Sequence, residues 1–132
     1  FLLKEYWNRP DATRDAFENG WFRTGDIADI DDEGFIFIKD RIKDMIISGG
    51  ENIYPAEIEN VILGHASVKE VAVIGLPDEK WGVIAGAEQI LAHCESRLAR
   101  YKLPKKFIFV EAIPRNPAGK VLKRVLRDQY AA

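Results

Sequence analysis

Apolar positions along the chain change their spacing every ten residues or so, and each change marks a short element. Ile27 and Ile30 precede an acidic turn closed by Gly34, and Phe35, Ile36, Phe37 and Ile38 follow it. β-branched and aromatic residues flanking such a turn predict a hairpin over about residues 20–42. Upstream, a turn at residues 8–10 leads into a short amphipathic piece containing Ala12, Ala16 and Phe17. That piece is expected to stop at Asn19–Gly20, two residues tolerant of positive φ. Residues 45–47 predict a second short strand, ended by Ser48-Gly49-Gly50. A helix follows: Pro55 suits its first turn, Glu57 and Glu59 complement its N-terminal dipole, and Ile58, Val61 and Ile62 form its apolar stripe before Gly64. Residues 68–76 (VKEVAVIGL) and 106–112 (KFIFVEA) predict further strands. Between them, Ile90, Leu91, Cys94 and Leu98 fall at helical spacing over residues 88–100. The last element places Val121, Leu122, Val125 and Leu126 on one face and Lys123, Arg124 and Arg127 elsewhere, an amphipathic C-terminal helix.

Short strands and helices alternating irregularly predict an α+β fold. The first hairpin lies upstream of a more regular β-α-β-α-β-α body, which puts a domain junction near residues 41–44. Trp7 and Trp21 are expected to pack, Cys94 to lie in the core, and His65 and His93 to lie at the surface without a metal or relay partner. One cysteine excludes an intramolecular disulfide framework and a thiolate zinc site. No apolar run approaches the roughly 20 residues that cross a bilayer, and FLLKEYWNRP lacks a signal peptide's apolar region. The expectation is a soluble, cytoplasmic protein with no transmembrane segment.

Net charge is −2, unevenly spread: residues 1–99 carry 10 Lys/Arg and 19 Asp/Glu, residues 100–132 carry 9 and 2. A basic end of this kind suits an anionic partner or a solvated helix face. It lacks the interleaved exposed aromatics of a nucleic-acid binder.

Four segments could carry chemistry. In Arg23-Thr24-Gly25-Asp26, a glycine turns the backbone and aims a carboxylate outward, where it could accept two hydrogen bonds from a vicinal diol; an Asx-type turn is the plain alternative. Asp40-Arg41-Ile42-Lys43-Asp44 crowds charges at the junction, as a protected strand edge also would. Ser48-Gly49-Gly50-Glu51-Asn52 offers bare backbone to a narrow passage, or a simple turn. Pro114-Arg115-Asn116-Pro117-Ala118-Gly119-Lys120 presents a lysine on a proline-stiffened arm, suited to balance phosphate charge, or else a basic helix start.

In order and spacing, GWFRTGD, DRIKDMIISGGENIYPAEIE and PRNPAGKVLKR resemble three successive motifs at the C-terminal end of the adenylate-forming superfamily. IISGGENIYPAEIE and LPDEKWG are most similar to its acyl- or aryl-CoA ligases, fatty-acyl-CoA ligases in particular. The resemblance implies a small C-terminal lobe over 43–132, a short antiparallel hairpin plus a three-stranded sheet flanked by helices. The β-rich tail of a large AMP-binding domain would precede it over 1–42. It also implies a two-step reaction in which a carboxylic acid and ATP, accompanied by Mg2+, give an acyl-adenylate that coenzyme A then captures. By position, Asp26 and Arg41 match the ribose-binding pair, Lys120 the catalytic lysine of adenylation, and Lys43 the hinge of the mobile lobe. Gly49 and Gly50 match the wall of the thiol tunnel. Trp81, Tyr101 and Lys105 match coenzyme A contacts of some relatives, although Leu103 stands where some carry a basic residue. No metal ligand is implied within this chain.

Two departures accompany the resemblance. The phosphate-binding loop and acyl pocket of these enzymes have no counterpart, so the chain alone is expected to be inactive, with an N-terminal domain as its partner. After Trp81–Gly82, a strand and acidic loop usual in relatives are replaced by a short stretch leading directly to the helix of Cys94. Transfer to a carrier-protein thiol, or a non-catalytic nucleotide- or nucleic-acid-binding module, are the alternatives to a coenzyme A ligase.

Overall fold

The computed structural model describes residues 3–76 and 87–131. The backbone divides into two compact units, Phe1–Ile42 and Lys43–Ala132.

In the first unit, helix α1 (Pro10–Ala16) begins with proline in its first turn. It ends three residues before Asn19–Gly20 rather than at them. Those two residues, with φ of 51° and 82°, instead form the two-residue turn between β1 (Phe17–Glu18) and β2 (Trp21–Phe22). Successive positive φ values match a hairpin turn of the primed type, so the signal that could cap a helix here folds a ribbon. A second ribbon pairs β3 (Asp26–Ile30) with β4 (Ile36–Arg41), antiparallel, with a register shift between Ile27 and Ala28. Its turn is held by Asp31, whose Oδ1 accepts the Glu33 and Phe35 N–H groups at 3.0 and 2.9 Å.

Among its described residues this unit has no buried hydrophobic residue. Trp7 and Trp21, expected to pack, are 91% and 79% exposed, and Phe35, Ile36, Phe37 and Ile38 are each more than half exposed. Forty residues of ribbon and one short helix cannot enclose side chains of that size.

The second unit holds the core. Hairpin β5 (Ile46–Ser48) and β6 (Glu51–Ile53) turns at Gly49–Gly50, followed by α2 (Pro55–Leu63), α3 (Glu88–Glu95), a 3₁₀ turn at Arg100–Lys102 and α4 (Lys123–Tyr130). Ile53, Ile58, Ile62, Ile90, Cys94 and Leu98 form one buried cluster, which Val71, Val73, Leu103 and Phe107 pack against. Burial raises the Cys94 thiol above its ordinary value, as expected of a core cysteine.

The fold is α+β with short antiparallel sheets, but every sheet among the described residues is two-stranded. The expected three-stranded sheet is not found among the described residues, where 68–76 and 106–112 carry no ladder. In the first stretch the Val73 N–H donates to Glu59 Oε1 at 2.7 Å, which removes it from strand pairing. Gly75 instead passes over β5 so closely that a Cβ there would lie 3.1 Å from Ile46 Cγ1. Helix α3 ends at Glu95 instead of continuing to residue 100, where the Ser96 hydroxyl and Arg97 guanidinium donate to the His93 carbonyl at 3.1 and 3.0 Å. His65 and His93 are half-buried rather than at the surface: the rings meet edge to face at 5.3 Å, and His93 Nε2 lies 2.9 Å from the Val61 carbonyl oxygen.

Candidate functional site

Each unit carries a group of chemistry-bearing side chains. In the first, register places Asp26 directly across from Arg41. Gly25, at φ 75°, turns the chain into β3, and its carbonyl accepts the Ile42 N–H at 2.9 Å. Arg41 Nε then lies 2.7 Å from Asp26 Oδ1, with the carboxylate side chain 24% exposed. Arg41 also donates to the Thr24 carbonyl at 3.2 Å, while Thr24 Oγ1 accepts the Asp26 N–H at 3.1 Å. Thr24 thus supports both members of the pair, a role that its place in the RTGD run did not reveal. The result is a fixed, partly exposed carboxylate beside a guanidinium, able to accept hydrogen bonds from neighbouring hydroxyls.

In the second unit, Lys120 is exposed at the end of a tightly bonded loop. Its N–H donates to Asn116 Oδ1 at 2.8 Å and its carbonyl accepts the Asn116 N–H at 2.9 Å. An isolated bridge between Arg115 and Val121, and the Leu122 N–H donated to the Pro114 carbonyl at 2.8 Å, close the neck of the loop. Gly119, at φ 80°, supplies the reversal. The Lys120 ammonium has no ion-pair partner among the described residues.

Gly49 and Gly50, at φ 62° and 87°, occupy the exposed tip of the β5–β6 ribbon, and a Cβ on either would meet nothing within 4 Å. Their glycine identity is therefore required by backbone conformation rather than by space. Lys43 is exposed at the first position of the second unit. Tyr101, 44% exposed, has the Lys102 ammonium 5.6 Å from its ring centre, and Lys105 is exposed four residues after Tyr101. Trp81 and the shortened stretch at residues 82–86 lie outside the described residues.

The basic C-terminal quarter is less available than its charge suggests. Lys102 pairs with Glu57 at 2.7 Å, Arg115 with Glu70 at 3.0 Å, Lys123 with Glu59 at 2.7 Å and Arg127 with Asp44 at 3.3 Å. At least four of its nine cations thus complement acidic residues of the same unit. Periodicity places Lys123 and Arg127 off the apolar face. It gives no sign that their side chains are only 14% and 31% exposed. Among the described residues no trio of His, Cys, Asp or Glu is arranged to hold a metal ion, and no helix is long and apolar enough to cross a membrane.

Residues 57–120 match the family described as AMP-binding enzyme C-terminal domain. The long-chain-fatty-acid–CoA ligase FadD13 of Mycobacterium tuberculosis is 71% identical over 99% of this chain. A 2-succinylbenzoate–CoA ligase of Bacillus cereus is 51% identical over 93% of it. The solved o-succinylbenzoate CoA synthetase of Bacillus subtilis, in complex with its acyl-adenylate intermediate, superposes with a TM-score of 0.86 at 45% identity over 95% of this chain. The chain spans 28% of the length of each of these relatives. The FadD13 alignment runs over 142 positions against 132 residues here, so at least ten positions have no counterpart in this chain. On these matches, and on the ordered motifs now placed in the fold, the chain belongs to the adenylate-forming acyl-CoA synthetase superfamily and corresponds to its C-terminal portion.

Proposed function

We propose that this chain is the nucleotide-handling C-terminal portion of an AMP-forming acid–thiol ligase that activates a carboxylic acid, a fatty acid in particular, and passes it to coenzyme A. The observation that carries the reading is the Lys120 ammonium, exposed without an ion-pair partner among the described residues on a loop whose backbone is fixed on both sides of it. A cation so presented can dock beside a polyphosphate and withdraw again without breaking a bond of its own lobe.

In the proposed reaction a carboxylate oxygen attacks the α-phosphorus of ATP, and pyrophosphate leaves with the electrons of the broken P–O bond. The thiol sulfur of coenzyme A then attacks the acyl carbon, and AMP leaves. Asp26 accepts hydrogen bonds from the two ribose hydroxyls, with Arg41 holding its carboxylate in place. Lys120 bridges the attacking carboxylate and the α-phosphate, where negative charge develops. Mg2+ arrives with ATP and is held largely by an upstream body. Lys43, where the two units meet in sequence, is the hinge. About it the lobe swings to replace Lys120 with the bare Gly49–Gly50 tip, beside which the pantetheine thiol passes. Tyr101 and Lys105, with Trp81, contact coenzyme A as an aromatic wall and a phosphate-binding cation. The reaction is cytoplasmic, and the 132 residues alone do not turn over.

The 71% and 51% identical relatives are both named as CoA ligases, which favours coenzyme A over a carrier-protein thiol as acceptor. The test is a hybrid joining this chain to the upstream portion of its 71%-identical relative, assayed by ATP–pyrophosphate exchange over a panel of carboxylic acids. Lys120→Ala should lower adenylation by about 100-fold or more, the scale of losing a charge-stabilising group. Thioester formation from pre-formed acyl-AMP should persist. Equal losses in the two half-reactions would remove Lys120 from the role assigned to it.

A further inference from the structure

The bonds between Asn116 and Lys120 set the shape of the loop but not its direction on the lobe. Direction is set by Arg115. Its guanidinium donates through Nη1 to the Gly119 carbonyl at 2.7 Å and through Nη2 to Glu70 Oε2 at 3.0 Å. The Gly119 carbonyl belongs to the same planar peptide unit as the Lys120 nitrogen. A single guanidinium therefore links the peptide plane from which Lys120 departs to Glu70, 45 positions before Arg115 in the chain.

We propose that Arg115 and Glu70 are positioning residues for the Lys120 ammonium, a reading that rests on the role given above to Lys120. Both side chains are 42% exposed, and an exposed ion pair between long side chains contributes little to stability. The arrangement instead restricts orientation. The guanidinium is planar, so anchoring one edge on Glu70 fixes where its other nitrogen holds Gly119, which a lysine ammonium cannot reproduce. With the peptide plane held, only the four-carbon stem of Lys120 remains free to search for the phosphate. Misdirection of a group at this distance from the chemistry lowers rate more than it lowers binding.

The test uses Glu70→Ala and Arg115→Lys, each in the hybrid ligase and in the 132-residue chain. In the hybrid, both should lower kcat for adenylation about tenfold with KM for ATP changed less than about twofold, the signature of a lost transition-state arrangement. Thioester formation from pre-formed acyl-AMP should match the parent. In the 132-residue chain, hydrogen–deuterium exchange of residues 114–122 should become faster while residues 88–95 keep the parent rate. Adenylation within twofold of the parent, parallel losses in both half-reactions, or unchanged exchange at 114–122 would each overturn the proposal. Lys120→Ala, run alongside, separates the two readings. If that variant spares adenylation, the role of Lys120 itself fails, whatever Glu70 and Arg115 do to the loop.

Discussion

Glu59 offers the sharpest energetic test of how the second unit is held together. One carboxylate does two things: Oε1 accepts the Val73 N–H at 2.7 Å and lies 2.7 Å from the Lys123 ammonium. It thereby joins α2, the 68–76 stretch and α4 at one point. Glu59→Ala leaves the half-buried Val73 N–H without a partner, which costs about 1–3 kcal/mol. It also strands the Lys123 ammonium, whose side chain is 14% exposed. Exposed pairs contribute up to about 1 kcal/mol and breaking buried ones costs about 3–5, so this intermediate case should add about 1–2 kcal/mol. The sum is about 2–5 kcal/mol. Glu59→Gln keeps an acceptor for Val73 and loses only the charge, so its expected loss is about 1–2 kcal/mol. Urea unfolding of the 132-residue chain, followed by circular dichroism at the helix band, measures both. With a slope of about 2 kcal/mol per molar urea, the midpoints should fall by about 1–2.5 M for alanine and by about 0.5–1 M for glutamine. Equal losses for the two variants would show that the Val73 bond contributes nothing. A loss under about 0.5 kcal/mol for alanine would refute the whole account.

Four further outcomes are expected. Lys43→Pro, by restricting the backbone at the proposed hinge, should spare one half-reaction of the hybrid ligase and stall the other; unaltered kinetics in both would count against a hinge there. Asp26→Ala should raise KM for ATP by about tenfold or more, since it removes charge-assisted acceptors and leaves Arg41 unpaired; isothermal titration with AMP checks it directly. The hydrogen bond to Glu57 raises the Lys102 ammonium above its ordinary value of 10.5. Its stabilising effect is therefore complete below about pH 10.5 and lost as pH climbs through the folded-state value, so the parent and Glu57→Gln stability curves should converge at high pH. Gly50→Ala, at φ 87° in open space, should cost about 1–2 kcal/mol through strain alone; an unchanged melting midpoint would show that the turn relaxes freely.

Elements with a strong local signal were legible from sequence. The β3–β4 ribbon follows from apolar runs on either side of an acidic turn, and α2 from a proline start and an Ile58–Ile62 stripe. The motif residues were legible too, because GWFRTGD and PRNPAGKVLKR are contiguous. The contacts that support them were not. Glu57 and Glu59 read only as complements to the α2 dipole and Glu70 only as part of a strand, yet each meets a cation at least 45 residues away. Pairing at that separation depends on tertiary packing, which periodicity does not encode. The misread strands have the same origin: residues 68–76 have the β-rich composition of a strand, and a carboxylate from α2 claims the Val73 N–H. Trp7 and Trp21 failed as core residues because hydrophobicity reports what a side chain would gain by burial, not whether anything is there to bury it.

The Phe35–Ile38 ribbon has a practical consequence for anyone handling this chain in solution. Four consecutive uncharged, β-prone side chains stand open on and beside a two-stranded ribbon, to which no third strand is paired among the described residues. Such a surface recruits further strands in a concentration-dependent way, so sedimentation and light scattering should show growing oligomers as the sample is concentrated. A lysine at Phe37 should suppress them before any change in the second unit can be measured.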